Sequence, residues 1–132
     1  MCTVLAYFGT DLSREEFESY LARTQERGPD DSKTVALPQG GFLGFQRLAI
    51  MGLSPEGMQP FQLGNSWAIC NGELYGFRRM KQELEEKGYS FQSGSDCELI
   101  LPMYREYGTD LFRRLDAEFA CVIYDGETNS VI

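Results

Sequence analysis

The chain of 132 residues contains no histidine. That absence excludes the Ser-His-Asp and Cys-His arrangements in which an imidazole activates a nucleophile, and it removes the commonest nitrogen ligand for metals. Basic residues are scarce: twelve Lys and Arg stand against twenty Asp and Glu, a formal charge of −8. No Lys/Arg cluster overrides that balance locally, so no nucleic-acid partner is expected. No apolar run approaches the ~20 residues of a membrane span, so no membrane partner is expected either. The start of the chain lacks the basic segment and apolar core of a secretory signal. Cysteine is confined to positions 2, 70, 97 and 121, without a Cys-x-x-C pair. A zinc site would therefore need all four thiols to converge. A reduced, cytoplasmic chain is the simplest expectation.

What is present suits one folded domain over residues 1–132. Hydrophobic residues make up 42% and charged residues 24%, and a chain of this size buries roughly two-thirds of its unfolded surface. Thr3–Phe8 (TVLAYF) reads as a buried strand. Ser13-Arg14-Glu15-Glu16 is a capping box opening a helix to about Arg27, with Phe17, Tyr20, Leu21 and Thr24 on one face. Short strands are expected at Thr34–Leu37, Phe42–Phe45 and Leu48–Ile50, and Gly52–Pro60 reads as a loop. A strand at Ser66–Cys70 runs into Asn71-Gly72-Glu73, which alone reads as an Asn-Gly turn. Tyr75–Lys87 is a helix stopped by Gly88, and Tyr89–Gln92 a short strand. Ser95-Asp96-Cys97-Glu98 forms a second capping box, starting a helix to about Tyr107 that Pro102 must bend or shorten. A brief helix at Asp110–Leu115 precedes a strand at Glu118–Tyr124 and a turn at Asp125–Asn129. Ser130-Val131-Ile132 supplies only the first residues of a hairpin partner, so a truncated domain or a piece of a longer chain is expected. The element order suits an α+β sandwich with mainly antiparallel sheets.

Four features could carry chemistry. Cys2 is either a small apolar residue heading the first strand or, once Met1 is removed, a thiol bearing its own α-amine. Such an amine has a pKa of ~7.7–8, so near neutrality it can take the thiol proton and return it to a leaving amine. Only Cys2 can become residue one. Asn71 and Gly72 form either a simple turn or an oxyanion hole built from a side-chain amide and a backbone N–H. Arg47 is either a surface-facing strand residue or a clamp for a carboxylate. Asp96 either complements a helix dipole or holds a substrate ammonium. A thiol, an oxyanion hole, one cation and one anion together fit an α-amino acid carrying a side-chain amide.

Met1-Cys2, RGPDDS (Arg27–Ser32), GFQRLAIMGLSPEGMQP (Gly44–Pro60), CNGELYGFRRMKQELEEKGY (Cys70–Tyr89), GSDCELILPMYREYG (Gly94–Gly108) and LDAEFACVIYD (Leu115–Asp125) occur in that order. In this the chain resembles the glutaminase domain of glutamine-dependent asparagine synthetases, a class II glutamine amidotransferase of the N-terminal-nucleophile type. Related amidotransferases that make amino sugars or phosphoribosylamine share the N-terminal cysteine but differ around QRLAI and RGPD. The resemblance implies a four-layer α-β-β-α sandwich that hydrolyses L-glutamine to glutamate and ammonia through a Cys2 thioester. By likeness Asn71 and Gly72 form the oxyanion hole, and Arg47 binds the α-carboxylate. Glu73 and Asp96 contact the amino-acid head, and the backbone around Leu48 and Ile50 lines the pocket. The resemblance implies no cofactor in this domain. ATP and magnesium belong to a C-terminal synthetase domain of a parent chain, which receives the ammonia through a tunnel and makes asparagine from aspartate. A homodimer is among the assemblies it allows. The alternative is a non-catalytic domain of the same fold serving assembly or regulation. Thr3 stands where the family usually has glycine, which places a side chain beside the thiol as the expectation.

Overall fold

The computed structural model describes residues 1–132. Seven strands and four helices follow one another as β1 (Thr3–Tyr7), α1 (Arg14–Ala22), β2 (Asp31–Ala36), β3 (Phe42–Arg47), β4 (Phe61–Leu63), β5 (Ser66–Leu74), α2 (Phe77–Glu86), α3 (Ile100–Tyr107), α4 (Leu111–Arg114), β6 (Ala117–Asp125) and β7 (Ser130–Val131). They build two antiparallel sheets, ordered β1-β3-β2 and β4-β5-β6-β7.

Period-two alternation decides what each strand faces. Along β3, Leu43 and Phe45 point into the space between the sheets and meet Ile69 of β5 and Tyr124 of β6. Gly44 and Gln46 point the other way, toward α1. A Cβ on Gly44 would lie 2.8 Å from the Phe17 ring, so the helix seats directly on the strand backbone. Ala68, Cys70 and Leu74 of β5, with Ile123 of β6, face away from the first sheet and pack on Phe77, Leu84, Leu101 and Met103. The result is four layers: α1, the β1-β3-β2 sheet, the β4-β5-β6-β7 sheet, and α2 with α3. This is the α-β-β-α sandwich expected from the sequence.

Several boundaries differ from the sequence reading, each for a physical reason. The Ser13–Glu16 capping box forms as expected, but α1 ends at Ala22. Thr24 lies beyond it, its hydroxyl donating to Gln46 Oε1 at 3.0 Å. β2 begins at Asp31, three residues before the strand expected at Thr34–Leu37, because β3 offers it a pairing edge from Phe42 to Arg47. Leu48–Ile50 is not a strand: the Leu48 N–H turns to Cys2 Sγ and the Ala49 N–H to the Asp30 carboxylate, leaving no ladder. β4 was not expected, being only three residues long. Tyr89–Gln92 is not a strand, since the Glu98 carboxylate accepts the Gln92 and Ser93 N–H groups at 2.8 Å each. With Glu98 so engaged the second capping box does not form, and Ser95 makes no side-chain cap. A 3-10 turn at Asp96–Leu99 leads instead into α3, placing Pro102 in the first α-helical turn where its missing N–H costs little. That is the shortened first half anticipated from the proline. Gly88 closes α2 as expected, with Gly88 N–H on Glu85 O and Tyr89 N–H on Leu84 O.

Candidate active site

Cys2 sits immediately before β1, beside the point where β3 ends at Arg47. Its sulfur lies against the Leu48 peptide, with the Leu48 N–H donating to Sγ at 3.3 Å and Sγ 3.6 Å from Leu48 O. A backbone donor is thus aimed at the atom that would carry negative charge. The peptide is itself clipped in place from behind. Asp30 N–H donates to Arg47 O at 3.0 Å, and Ala49 N–H donates to Asp30 Oδ2 at 2.7 Å. The RGPD segment therefore sets where β3 stops and how Leu48 meets the thiol.

Thr3 does not crowd that thiol. Cys2, Val4 and Ala6 face the inter-sheet cluster, so the intervening Thr3 faces the α1 side and donates to Thr24 O at 3.4 Å. The expectation from the family pattern is corrected by strand alternation.

Arg47 continues the inward row of Leu43 and Phe45 and is buried, so the surface-facing reading is excluded. A guanidinium carries five N–H donors in a planar fork. Here Nη1 donates to Ser54 O at 3.0 Å and Nη2 to Gly52 O. The loop that follows β3 is therefore wrapped around the guanidinium. It is also pressed onto the chain near Asp96: Gly52 has φ of +60°, and a Cβ there would lie 2.6 Å from Ser95 N. Any other residue would lift the loop off the site.

Asn71-Gly72-Glu73 is not a turn. These residues continue β5, paired with Ala120, Phe119 and Glu118 of β6. Gly72 is required by that approach, because a Cβ would lie 2.4 Å from Glu118 O and 2.6 Å from Phe119 Cβ. Backbone groups alternate along a strand, so Gly72 N–H faces the same edge as Cys70 and Leu74, away from β6. At that edge Leu74 N–H donates to Asp96 Oδ2 at 2.7 Å. Asp96 is buried and is tied to the strand rather than acting as a helix cap.

One cavity of about 430 Å³ is lined by Cys2, Arg47, Leu48, Ile50, Asn71, Gly72, Glu73 and Asp96. All eight residues singled out from the sequence thus meet, although Ile50 is 74% exposed and stands at the rim. The same cavity is lined by Gln59, Ser95, Cys97, Glu118 and Ala120, to which the sequence reading gave no part in a site. Gln59 carried a weak signal, a polar side chain in an otherwise loop-like stretch. Glu118 had none without the register that puts it opposite Glu73. Three carboxylates against one guanidinium make the mouth negative. Glu118, then burial, then Glu73 and Asp116 push the nearby Tyr75 phenol above its ordinary value.

Two of the other thiols, Cys97 and Cys121, are held neutral. Cys97 is driven far above the ordinary thiol range, by its hydrogen bond with Cys70 first and then by burial. Burial likewise pushes Cys121 up to about 12. A buried neutral thiol is a poor nucleophile. The arrangement can therefore place a carbonyl carbon beside Cys2, its oxygen near Asn71 and Gly72, and a charged head between Arg47 and the carboxylates.

The chain is similar over most of its length to known proteins. The chain is 38% identical over 95% of its length to a "Probable asparagine synthetase [glutamine-hydrolyzing]" of Acanthamoeba polyphaga mimivirus, covering 24% of that protein. It is 37% identical over 89% of its length to "Amidase chry2" of Gibberella zeae, covering 18% of that protein. The chain thus spans about a quarter or less of these relatives. A solved structure of glutamine phosphoribosylpyrophosphate amidotransferase from B. subtilis superposes with a TM-score of 0.76 at 21% identity, over 91% of this chain and 34% of that one, and shares its fold. The glutamine amidotransferase domain family matches residues 1–132, and the chain belongs to that family.

Proposed function

We propose that this domain hydrolyses L-glutamine to glutamate and ammonia, with Cys2 as nucleophile after removal of Met1. We further propose that in a longer parent chain the ammonia serves ATP-dependent synthesis of asparagine from aspartate. The observation that carries the reading is the convergence of Cys2, Arg47, Asn71, Gly72 and Asp96 on one cavity, with a backbone donor on the sulfur.

Each group has a part in the proposed steps. Arg47 binds the α-carboxylate of glutamine, while Glu73 and Asp96 receive its ammonium, which leaves the side-chain amide beside Cys2. The Cys2 α-amine takes the thiol proton, and sulfur attacks the amide carbon. The carbonyl oxygen becomes an oxyanion held by the Asn71 amide and the Gly72 N–H. Collapse breaks the C–N bond, and the α-ammonium returns its proton to the leaving nitrogen, which departs as ammonia. Water, deprotonated by the same amine, then attacks the thioester and releases glutamate and the free thiol. ATP and magnesium would act in the remainder of the parent chain, and no step above runs through them.

Incubating the full-length parent with glutamine is expected to release ammonia, and Cys2→Ala is expected to abolish it. Intact mass after treatment with diazo-oxo-norleucine should show loss of Met1 and a single adduct on Cys2. Retention of Met1 would leave the amine in a peptide bond and favour a non-catalytic domain. Equal hydrolysis of amides lacking a free amino-acid head would favour a broader amidase, because Arg47 and Asp96 would then have no role.

A further inference from the structure

We infer that Gln59 is a positioning residue for the oxyanion site, its side-chain amide standing in for a missing strand residue against Cys70; this rests on the glutaminase reading above. β4 pairs with β5 only over three positions, Phe61 with Ala68, Gln62 with Trp67 and Leu63 with Ser66. Continuing that register would place residue 59 opposite Cys70, but the strand has ended. Cys70, buried beneath the site, would be left with an unpaired N–H and C=O, which costs ~1–3 kcal/mol per group.

The Gln59 carboxamide fills both. Cys70 N–H donates to Gln59 Oε1 at 2.6 Å, and Gln59 Nε2 donates to Cys70 O at 3.0 Å. Gln59 is itself only 4% exposed, so water does not compete for these bonds. Four residues along the same edge, Asp96 holds the Leu74 N–H. Gly72 lies midway between these two clamps, and Asn71 directly follows the first. The oxyanion donors thus sit on a stretch of β5 that is held on one edge by β6 and on the other by two side chains. Removing the Gln59 clamp frees the strand edge next to Asn71 without touching Cys2, Arg47 or the Leu48 peptide.

The test compares the full-length wild type with Gln59→Met, which keeps the shape but loses both bonds, and with Gln62→Met on the exposed face of β4 as control. Gln59→Met is expected to lower kcat for ammonia release about 10- to 100-fold, with KM changed less than about threefold. Affinity for glutamate γ-semialdehyde, whose hemithioacetal oxygen would occupy the hole, should fall in parallel. Alkylation of Cys2 by iodoacetamide, which needs no oxyanion hole, should keep its wild-type rate. Gln59→Glu provides a second reading. Its protonated acid both donates and accepts as the amide does, so its kcat relative to wild type should rise as pH falls.

Wild-type kcat in Gln59→Met overturns the assignment, as does a matching loss of alkylation, which would mark a general support of the fold. If Gln59→Met does not fold, Gln59→Glu decides, and a ratio independent of pH overturns the assignment. A wild type that neither releases ammonia nor binds the aldehyde overturns the glutaminase reading, and this one with it.

Discussion

Thr3 turns away from the thiol because a strand sends successive side chains to opposite faces. Its hydroxyl bonds to Thr24 O on the α1 side, while Cys2 faces the cavity. Thr3→Gly should therefore cost stability, about 1 kcal/mol from backbone freedom and the lost side chain. It should leave the rate of Cys2 alkylation by iodoacetamide unchanged; a faster rate would mean that residue 3 does crowd the sulfur. Arg47 shows the opposite case, a side chain serving two partners. It holds Gly52 O and Ser54 O and still lines the cavity. Lysine offers no planar fork, so Arg47→Lys should raise KM for glutamine about tenfold or more. Steady-state kinetics check this, and an unchanged KM would remove Arg47 from substrate binding.

At the scale of elements, the site depends on the close approach of β5 and β6. Gly72→Ala puts a methyl group 2.4 Å from Glu118 O, which the paired strands cannot yield without separating. Loss of ammonia release together with a lower melting temperature is expected, and a variant of full activity would show that the strands can part at no cost to the site. α1 offers a contrast. Ser13 and Glu16 cap it reciprocally on the outer layer, far in sequence from the cavity-lining residues of β5. Ser13→Ala should cost about 1 kcal/mol in chemical denaturation and leave kcat unaltered.

For the whole molecule, one contact ties the helical layer to the end of β6. Tyr104 of α3 donates to Asp125 Oδ2 at 3.0 Å, and Asp125 also accepts from Glu127 N–H at 2.9 Å. Burial raises the Asp125 carboxyl, but these hydrogen bonds outweigh it and hold the group below its ordinary 3.8. A carboxylate lowered on folding stabilises the fold above its ordinary value and loses that contribution as pH falls through the lower, folded value. The Tyr104 phenol is raised, by burial first and then by Asp125. Its contribution is complete below the ordinary value of 10.0 and fades as pH rises beyond it. Urea midpoints should therefore decline at both extremes. Asp125→Asn should flatten part of the acid decline, and an identical acid decline in the variant would exclude this contact as a contributor. The chain's formal charge of −8 adds a separate, salt-dependent term, so the comparison belongs at fixed ionic strength.

Much of the molecule could be read from local chemistry. The Ser13 capping box, the Gly88 stop, the effect of Pro102 and the apolar runs of β1 and β6 act within a few residues, where bonding and sterics do not depend on the rest of the fold. The absence of histidine pointed to Cys2 and its α-amine for the same reason: it concerns which groups exist. Where the chain bonds across long separations, local signals failed. Asn71-Gly72 has the composition of a turn, yet it is a strand because Phe119 and Ala120 pair with it. Leu48–Ile50 has the composition of a strand, yet its N–H groups find Cys2 and Asp30 instead. Glu98 completes a capping-box motif, but Gln92 and Ser93 reach its carboxylate and Ser95 does not. The candidate residues for the proposed chemistry could thus be named from the sequence alone. The tertiary structure decided the faces they turn to, the loop wrapped on Arg47, and the clamp of Gln59 on Cys70, because each is a hydrogen bond or a steric limit between segments that only folding brings together.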